Sequence, residues 1–95
     1  MRLKEKVAVV TGGANGIGEA YAKGMASEGA SVVLADIDEK RGRRIVEEIA
    51  ASGGKAAFSL TDVSVKRDAE KMVQTAMDRF GSIDILVNNA GILFT

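Results

Sequence analysis

The sequence predicts an α/β domain on an open, doubly wound parallel sheet, with element order β-α-β-α-β-α-β and strand order 3-2-1-4. Three observations predict it. Four short apolar runs rich in β-branched residues recur at similar intervals, which is how strands covered on both faces read. Stretches with apolar residues every three or four positions alternate with them, as amphipathic helices do. Glycine closes each of those stretches, and a glycine-rich turn joins the first run to the first stretch.

The first strand is expected at Lys6–Val10 and the first helix at about Asn15 to Glu28, carrying Ile17, Ala20, Tyr21 and Met25 before Gly29. Tyr21 is placed on the inward stripe of that helix. The second strand is expected at Ser31–Ala35, and the second helix at about Glu39 to Ser52 with Ile45, Val46 and Ile49 before Gly53. A third strand follows at Lys55–Leu60. The third helix has the clearest stripe, from Val65 through Ala69, Met72, Val73, Ala76 and Met77 to Phe80, with Ser64 as N-cap and Gly81 past its end. The fourth strand is expected at Asp84–Asn88. Right-handed crossovers then put helices one and two on one face and helix three on the other.

Composition limits the function. Thirteen Lys+Arg against thirteen Asp+Glu leave a formal net charge of +0, which argues against a nucleic-acid platform or a polybasic membrane anchor. With 46% apolar and 27% charged residues the chain has the makings of a packed domain rather than a disordered segment. No apolar run approaches the roughly 20 residues a bilayer demands, and charges interrupt the first six residues, so a cytoplasmic protein is expected. Cys and His are both absent, which removes disulfides, thiolate zinc sites and imidazole bases; the carboxylates lack ligand spacing, so no metal site is expected.

In a doubly wound sheet ligands bind at the carboxyl ends of strands near the switch point, here between strands one and four. After strand one stands Thr11-Gly-Gly-Ala-Asn-Gly-Ile-Gly18. Its glycines let backbone N–H groups and a helix N-terminus approach a pyrophosphate. The GxGxxG pattern fails, because Tyr21 occupies its third small position, and the P-loop fails because Glu19 stands where its Lys belongs. Strand two ends at Asp36, 18 residues beyond Gly18, near the roughly 20 expected for a ribose-binding acid. A carboxylate there accepts from ribose hydroxyls and repels a 2′-phosphate, and Asn15 and Ile37 offer no cation, so NAD is favoured over NADP. Asp38 and Glu39 read as solvated turn acids. After strand three, Asp62 could receive an adenine amino group while Val63 packs the ring; capping the next helix is an equal reading of Asp62. Strand four ends in Asn88-Asn89-Ala90-Gly91, which could be a simple turn or could tie the strand to its neighbours. The run Lys40-Arg41-Gly42-Arg43-Arg44 reads as a solvated face balanced by Glu47 and Glu48, ahead of a phosphate-binding patch.

Taken together, Thr11-Gly12-x-x-x-Gly16-x-Gly18, Asp36, Asp62-Val63 and Asn88-Asn89-Ala90-Gly91 resemble the N-terminal half of a short-chain dehydrogenase/reductase, a Rossmann-type fold. The resemblance covers Lys6 to Gly91. It implies that Gly12, Asn15, Gly16, Ile17 and Gly18 line the pyrophosphate and adenosine side. By the same resemblance Asp36 and Ile37 hold ribose and Asp62 and Val63 hold adenine. Asn89, Ala90 and Gly91 would lie against the cofactor ribose, with Asn88 bracing the sheet. The implied activity is hydride transfer between nicotinamide and an alcohol/ketone pair, such as a 3-oxoacyl or other small keto/hydroxy compound. The family's chemistry uses a Ser and a Tyr-x-x-x-Lys pair, in which the cation favours the tyrosinate. Tyr21 is the only tyrosine and Met25 follows it by four, so no residue of the chain is nominated as catalytic.

Residues 1–95 are therefore expected to form the N-terminal portion of an NAD(P)-binding domain from a longer enzyme, inactive alone. Its open edge strand and uneven cover suggest a homo-oligomer. A non-catalytic dinucleotide-binding module and a remnant that binds nothing stand as alternatives.

Overall fold

The computed structural model describes residues 2–12 and 16–89. Seven elements follow in order: β1 (Val7–Thr11), α1 (Gly16–Ser27), β2 (Ser31–Asp36), α2 (Glu39–Ala51), β3 (Lys55–Leu60), α3 (Lys66–Phe80) and β4 (Ile85–Asn88). The four strands form one parallel sheet in the order β3-β2-β1-β4. This is the expected topology. The register brings the carboxyl ends level: Thr11 lies beside Ala35 and Asn88, and Asp36 beside Leu60.

Alternation along each strand sends successive side chains to opposite faces. Val10, Val32 and Leu34 point to one face and pack with Ala22 of α1 and Ile45 and Ile49 of α2. Val7, Val9, Val33 and Ala35 point to the other and meet Met72 and Ala76 of α3. Two helices therefore cover one face and one covers the other, as the crossover argument requires. Leu34 is fully buried at the centre of the larger cluster. Truncating such a side chain to Ala costs about 2–5 kcal/mol.

Coverage is thinner on the α3 face near β4. Leu86 shares that face with Val9, its register partner, yet is 59% exposed. Just ahead of β4, Asp84 binds β1 twice: its N–H donates to the Val7 carbonyl and its Oδ2 accepts the Val7 N–H, both at 2.8 Å. Asp84 thus precedes β4 rather than starting it, and aligns the strand through its side chain.

Several local expectations are corrected. The N-cap of α3 is Val65, with no side-chain cap bond, rather than Ser64. Ser64 is engaged elsewhere, because its N–H and hydroxyl both donate to Asp62 Oδ1, at 3.0 and 2.6 Å. Asp62 therefore closes a turn with Ser64 and does not cap the helix. Asp38 is not a solvated turn acid: it caps α2, its carboxylate accepting the Arg41 N–H at 3.1 Å. Tyr21 is 47% exposed, since α1 presents its smallest residues, Gly18 and Ala22, to the sheet. Adjacent helix positions differ by about 100°, so a stripe centred on Ala22 turns Tyr21 outward. On α3, Ala76 and Met72 take the inward positions and leave Met77 and Val73 exposed. Gly81 ends that helix with φ 84 and N–H donation to the Ala76 and Met77 carbonyls, as expected of glycine there.

Candidate functional site

The four carboxyl strand ends are stitched to one another by hydrogen bonds. The Gly12 N–H donates to the Ala35 carbonyl at 2.7 Å, joining the ends of β1 and β2, and the Thr61 N–H donates to the Asp36 carbonyl at 2.9 Å, joining β2 and β3. Across the switch point the Thr11 hydroxyl lies 3.2 Å from both the Val87 carbonyl and Asn88 Oδ1. The Asn89 side-chain amide donates to the Gly12 carbonyl at 3.3 Å. Glycine-turn residue, β2 acid, β3 loop and β4 asparagines consequently stand along one edge. Asn88 braces β4 to β1 as the resemblance implied, and the buried Asn89 adds a second tie between them.

Gly12 turns the chain out of β1 at φ 66, a conformation that a Cβ makes costly by roughly 1–2 kcal/mol. Gly16, Ile17 and Gly18 are the first three residues of α1. A Cβ on Gly16 would meet nothing within 4 Å, so that side of the helix start is open, while Gly18 is buried towards the sheet. The positive end of the helix dipole at such a start favours an anion. Asn15, Ala90 and Gly91 lie outside the described residues.

Asp36 is half-buried at the end of β2, and its Oδ1 accepts the Asp38 N–H at 2.9 Å, which fixes the carboxylate on the turn into α2. Asp62 is exposed, and the two Ser64 hydrogen bonds, the hydroxyl foremost, hold its carboxyl below the usual aspartate range. Ile17 (65% exposed), Ile37 (70%), Leu60 and Val63 are large apolar residues left open to solvent. Each sits at or just past one of these strand ends, so the carboxyl edge combines hydrogen-bonding groups with unburied apolar surface. Such a combination can meet the polar and the apolar parts of one ligand.

A cavity of about 740 Å³ opens at the other end of the sheet, between the last turns of α1 and α2. Its Ser27 and Ser52 hydroxyls donate to carbonyls of their own helices, and Lys23 pairs with Glu48. Those groups serve the fold. A smaller cavity of about 480 Å³ lies beside the start of α2, lined by Asp38, Lys40, Arg41 and Arg44.

One group escaped sequence reasoning. Glu19, in the first turn of α1, pairs with Lys23 at 2.7 Å and with Arg41 of α2 at 3.4 Å, and Lys23 continues to Glu48 at 2.6 Å. The i,i+4 spacing of Glu19 and Lys23 is legible in the sequence; the reach to Arg41 is not. In the basic run Arg44 meets Glu48 at 3.6 Å, one of the two partners expected, while Arg43 meets Glu39 at 2.9 Å.

The family model for the short chain dehydrogenases matches residues 6–95. The chain belongs to the short-chain dehydrogenase family. Among curated relatives of this short-chain dehydrogenase chain, peroxisomal multifunctional enzyme A of Dictyostelium discoideum is 46% identical over 102 residues, covering 98% of the chain and 22% of that protein. The 3-hydroxyacyl-CoA dehydrogenase type-2 of Drosophila melanogaster is 43% identical over 89 residues, 94% of the chain and 34% of that protein. The crystal structure of a hydroxysteroid dehydrogenase from Escherichia coli superposes with a TM-score of 0.91 at 39% identity, covering 95% of the chain and 38% of the solved one. The short-chain dehydrogenase chain thus spans between 22% and 38% of the length of the first curated relatives it matches.

Proposed function

We propose that residues 1–95 form the dinucleotide-binding part of an oxidoreductase that moves hydride between a nicotinamide cofactor and an alcohol/ketone pair, with NAD preferred over NADP. The observation that carries this reading is Asp36. It stands half-buried at the end of β2, its carboxylate fixed by the Asp38 amide, on the same edge as the Gly12 turn and the open start of α1. A ribose diol offers two donors to such a carboxylate, whereas a 2′-phosphate would set like charges against each other. Family membership and the dehydrogenases among the relatives support the reaction class.

The groups present fit an adenine dinucleotide by their chemistry. Gly16, Ile17 and Gly18 at the helix start would take the pyrophosphate, with Gly12 and Asn15 beside them. Asp36 and Ile37 would hold the adenosine ribose, and Asp62 and Val63 the adenine, one by accepting a hydrogen bond and the other by apolar contact. Asn89, Ala90 and Gly91 would lie along the second ribose. The nicotinamide supplies the hydride chemistry when bound, and this part of the chain binds and orients it. A small keto or hydroxy compound is the substrate class we assign to the whole enzyme, acting in the cytoplasm as a homo-oligomer.

Fluorescence titration of the chain with NADH and NADPH tests the reading. Saturable binding is expected, tighter for NADH, and Asp36→Ala should narrow the gap between the two. No saturable binding, or an unchanged NADH/NADPH ratio in the variant, contradicts it.

A further inference from the structure

Glu19 poses an electrostatic problem for an anionic ligand. It stands one residue past Gly18, in the first turn of the helix whose start would receive a pyrophosphate. A lone carboxylate there cancels much of what the helix dipole offers an anion. The structure sets two cations on it. Lys23 Nζ lies 2.7 Å from Oε2 and Arg41 Nη2 lies 3.4 Å from Oε1.

The two cations differ in origin. Lys23 is one turn along the same helix and is shared with Glu48 at 2.6 Å, so its charge is already divided. Arg41 arrives from α2, where its own backbone N–H is held by the capping Asp38, two residues past Asp36. The guanidinium therefore joins the first turn of α2 to the first turn of α1. These contacts hold the Glu19 carboxyl below its usual range, Lys23 contributing most.

We propose that Arg41 is a positioning residue for the dinucleotide: by bridging to Glu19 it neutralises the carboxylate beside the glycine turn and so keeps the start of α1 receptive to an anion. The proposal rests on the dinucleotide-binding reading above and extends it to a residue outside the glycine motif and outside Asp36. As a stability device the pair is weak, because exposed ion pairs contribute little. Its effect falls on the ligand, where an uncompensated like charge near the bound anion weakens affinity several-fold.

The test is NADH and NADPH binding to the 95-residue chain carrying Arg41→Gln, Glu19→Gln or both, at low salt and at 0.5 M NaCl. Expected results are a several-fold weaker binding of both dinucleotides in Arg41→Gln at low salt, a smaller loss at high salt, and recovery of most of it in the double variant. A purely structural role for Arg41 would give no rescue by Glu19→Gln and no salt dependence, and either result overturns the proposal. Loss confined to NADPH also overturns it, since Arg41 would then be contacting a 2′-phosphate directly. Wild-type chain that binds neither dinucleotide removes the parent reading along with this one; wild-type binding with Arg41→Gln unaffected removes this one alone.

Discussion

The side-chain amide of Asn89 donates to the carbonyl oxygen of Gly12 across 77 positions of sequence, at 3.3 Å. One end of that bond is the residue that turns β1 into the glycine loop at φ 66, and the other follows β4 directly. The bond therefore holds the glycine turn in place from the neighbouring strand, on the side away from β2. Because Asn89 is buried, removing its amide leaves a polar carbonyl without that partner.

Replacing Asn89 by Ala should accordingly lower stability by about 1–2 kcal/mol, the cost of losing a buried hydrogen bond. It should also weaken NADH binding beyond what the stability loss explains, because the turn is no longer held. Urea denaturation and fluorescence titration measure the two effects separately. A variant as stable as wild type would show that the amide contributes nothing to joining the strands.

Gly42 sits inside α2, where Ala is ordinarily the better helix former by about 1 kcal/mol. A Cβ at this position would stand 2.2 Å from Cε1 and 2.5 Å from Cδ1 of Phe58 on β3. The ring is half-buried and lies under the Arg43 guanidinium, 5.4 Å from its centroid, so it must shift as a unit. Gly42→Ala should therefore destabilise by about 1–2 kcal/mol, overpacking outweighing propensity. In a Phe58→Ala background the same change should become neutral or stabilising. Thermal melts of the four proteins in that cycle decide it, and additive effects would contradict the close approach.

Ser64 keeps Asp62 ionised to lower pH than usual through its hydroxyl and N–H. A carboxylate whose pKa is depressed by folding contributes stability above its unfolded pKa and loses it as pH falls through the folded value. Ser64→Ala should raise the Asp62 pKa towards that of an ordinary aspartate and flatten the acid end of the stability curve. Carboxyl ¹³C titration reads the first effect directly. An unmoved Asp62 titration would mean that the hydroxyl bond is not the cause.

How much of this was legible in the sequence depends on range. The strand order, the division of helices between faces and the collection of Gly12, Asp36, Asp62 and Asn89 at one edge all follow from alternation, handedness and the position of strand ends. These are properties of whole elements. The errors concern which member of an apolar stripe faces inward. Tyr21 and Met77 satisfy the three-and-four spacing, yet a neighbouring alanine, Ala22 or Ala76, takes the buried position because the helix packs close to the sheet there. Spacing identifies a stripe, but the distance of closest approach selects its centre.

Caps are ambiguous in the sequence for a related reason. Ser64 and Asp38 both have short polar side chains that can serve a turn or a helix, and the outcome rests on one neighbour. Asp62 captures Ser64, while nothing diverts Asp38 from the amide of Arg41. The Glu19–Arg41 contact was invisible because it joins helices 22 residues apart through long flexible side chains.

The most direct measurement is an amide ¹H–¹⁵N titration of the chain with NAD. Saturating shifts are expected at Gly12, Gly16 to Gly18, Asp36 and Ile37, Asp62 and Val63, and Asn89, with the Gly29, Gly53 and Lys55 amides at the far end of the sheet unmoved. Saturating shifts centred on those three far-end residues, or no saturable change anywhere, would contradict a dinucleotide laid along the carboxyl edge.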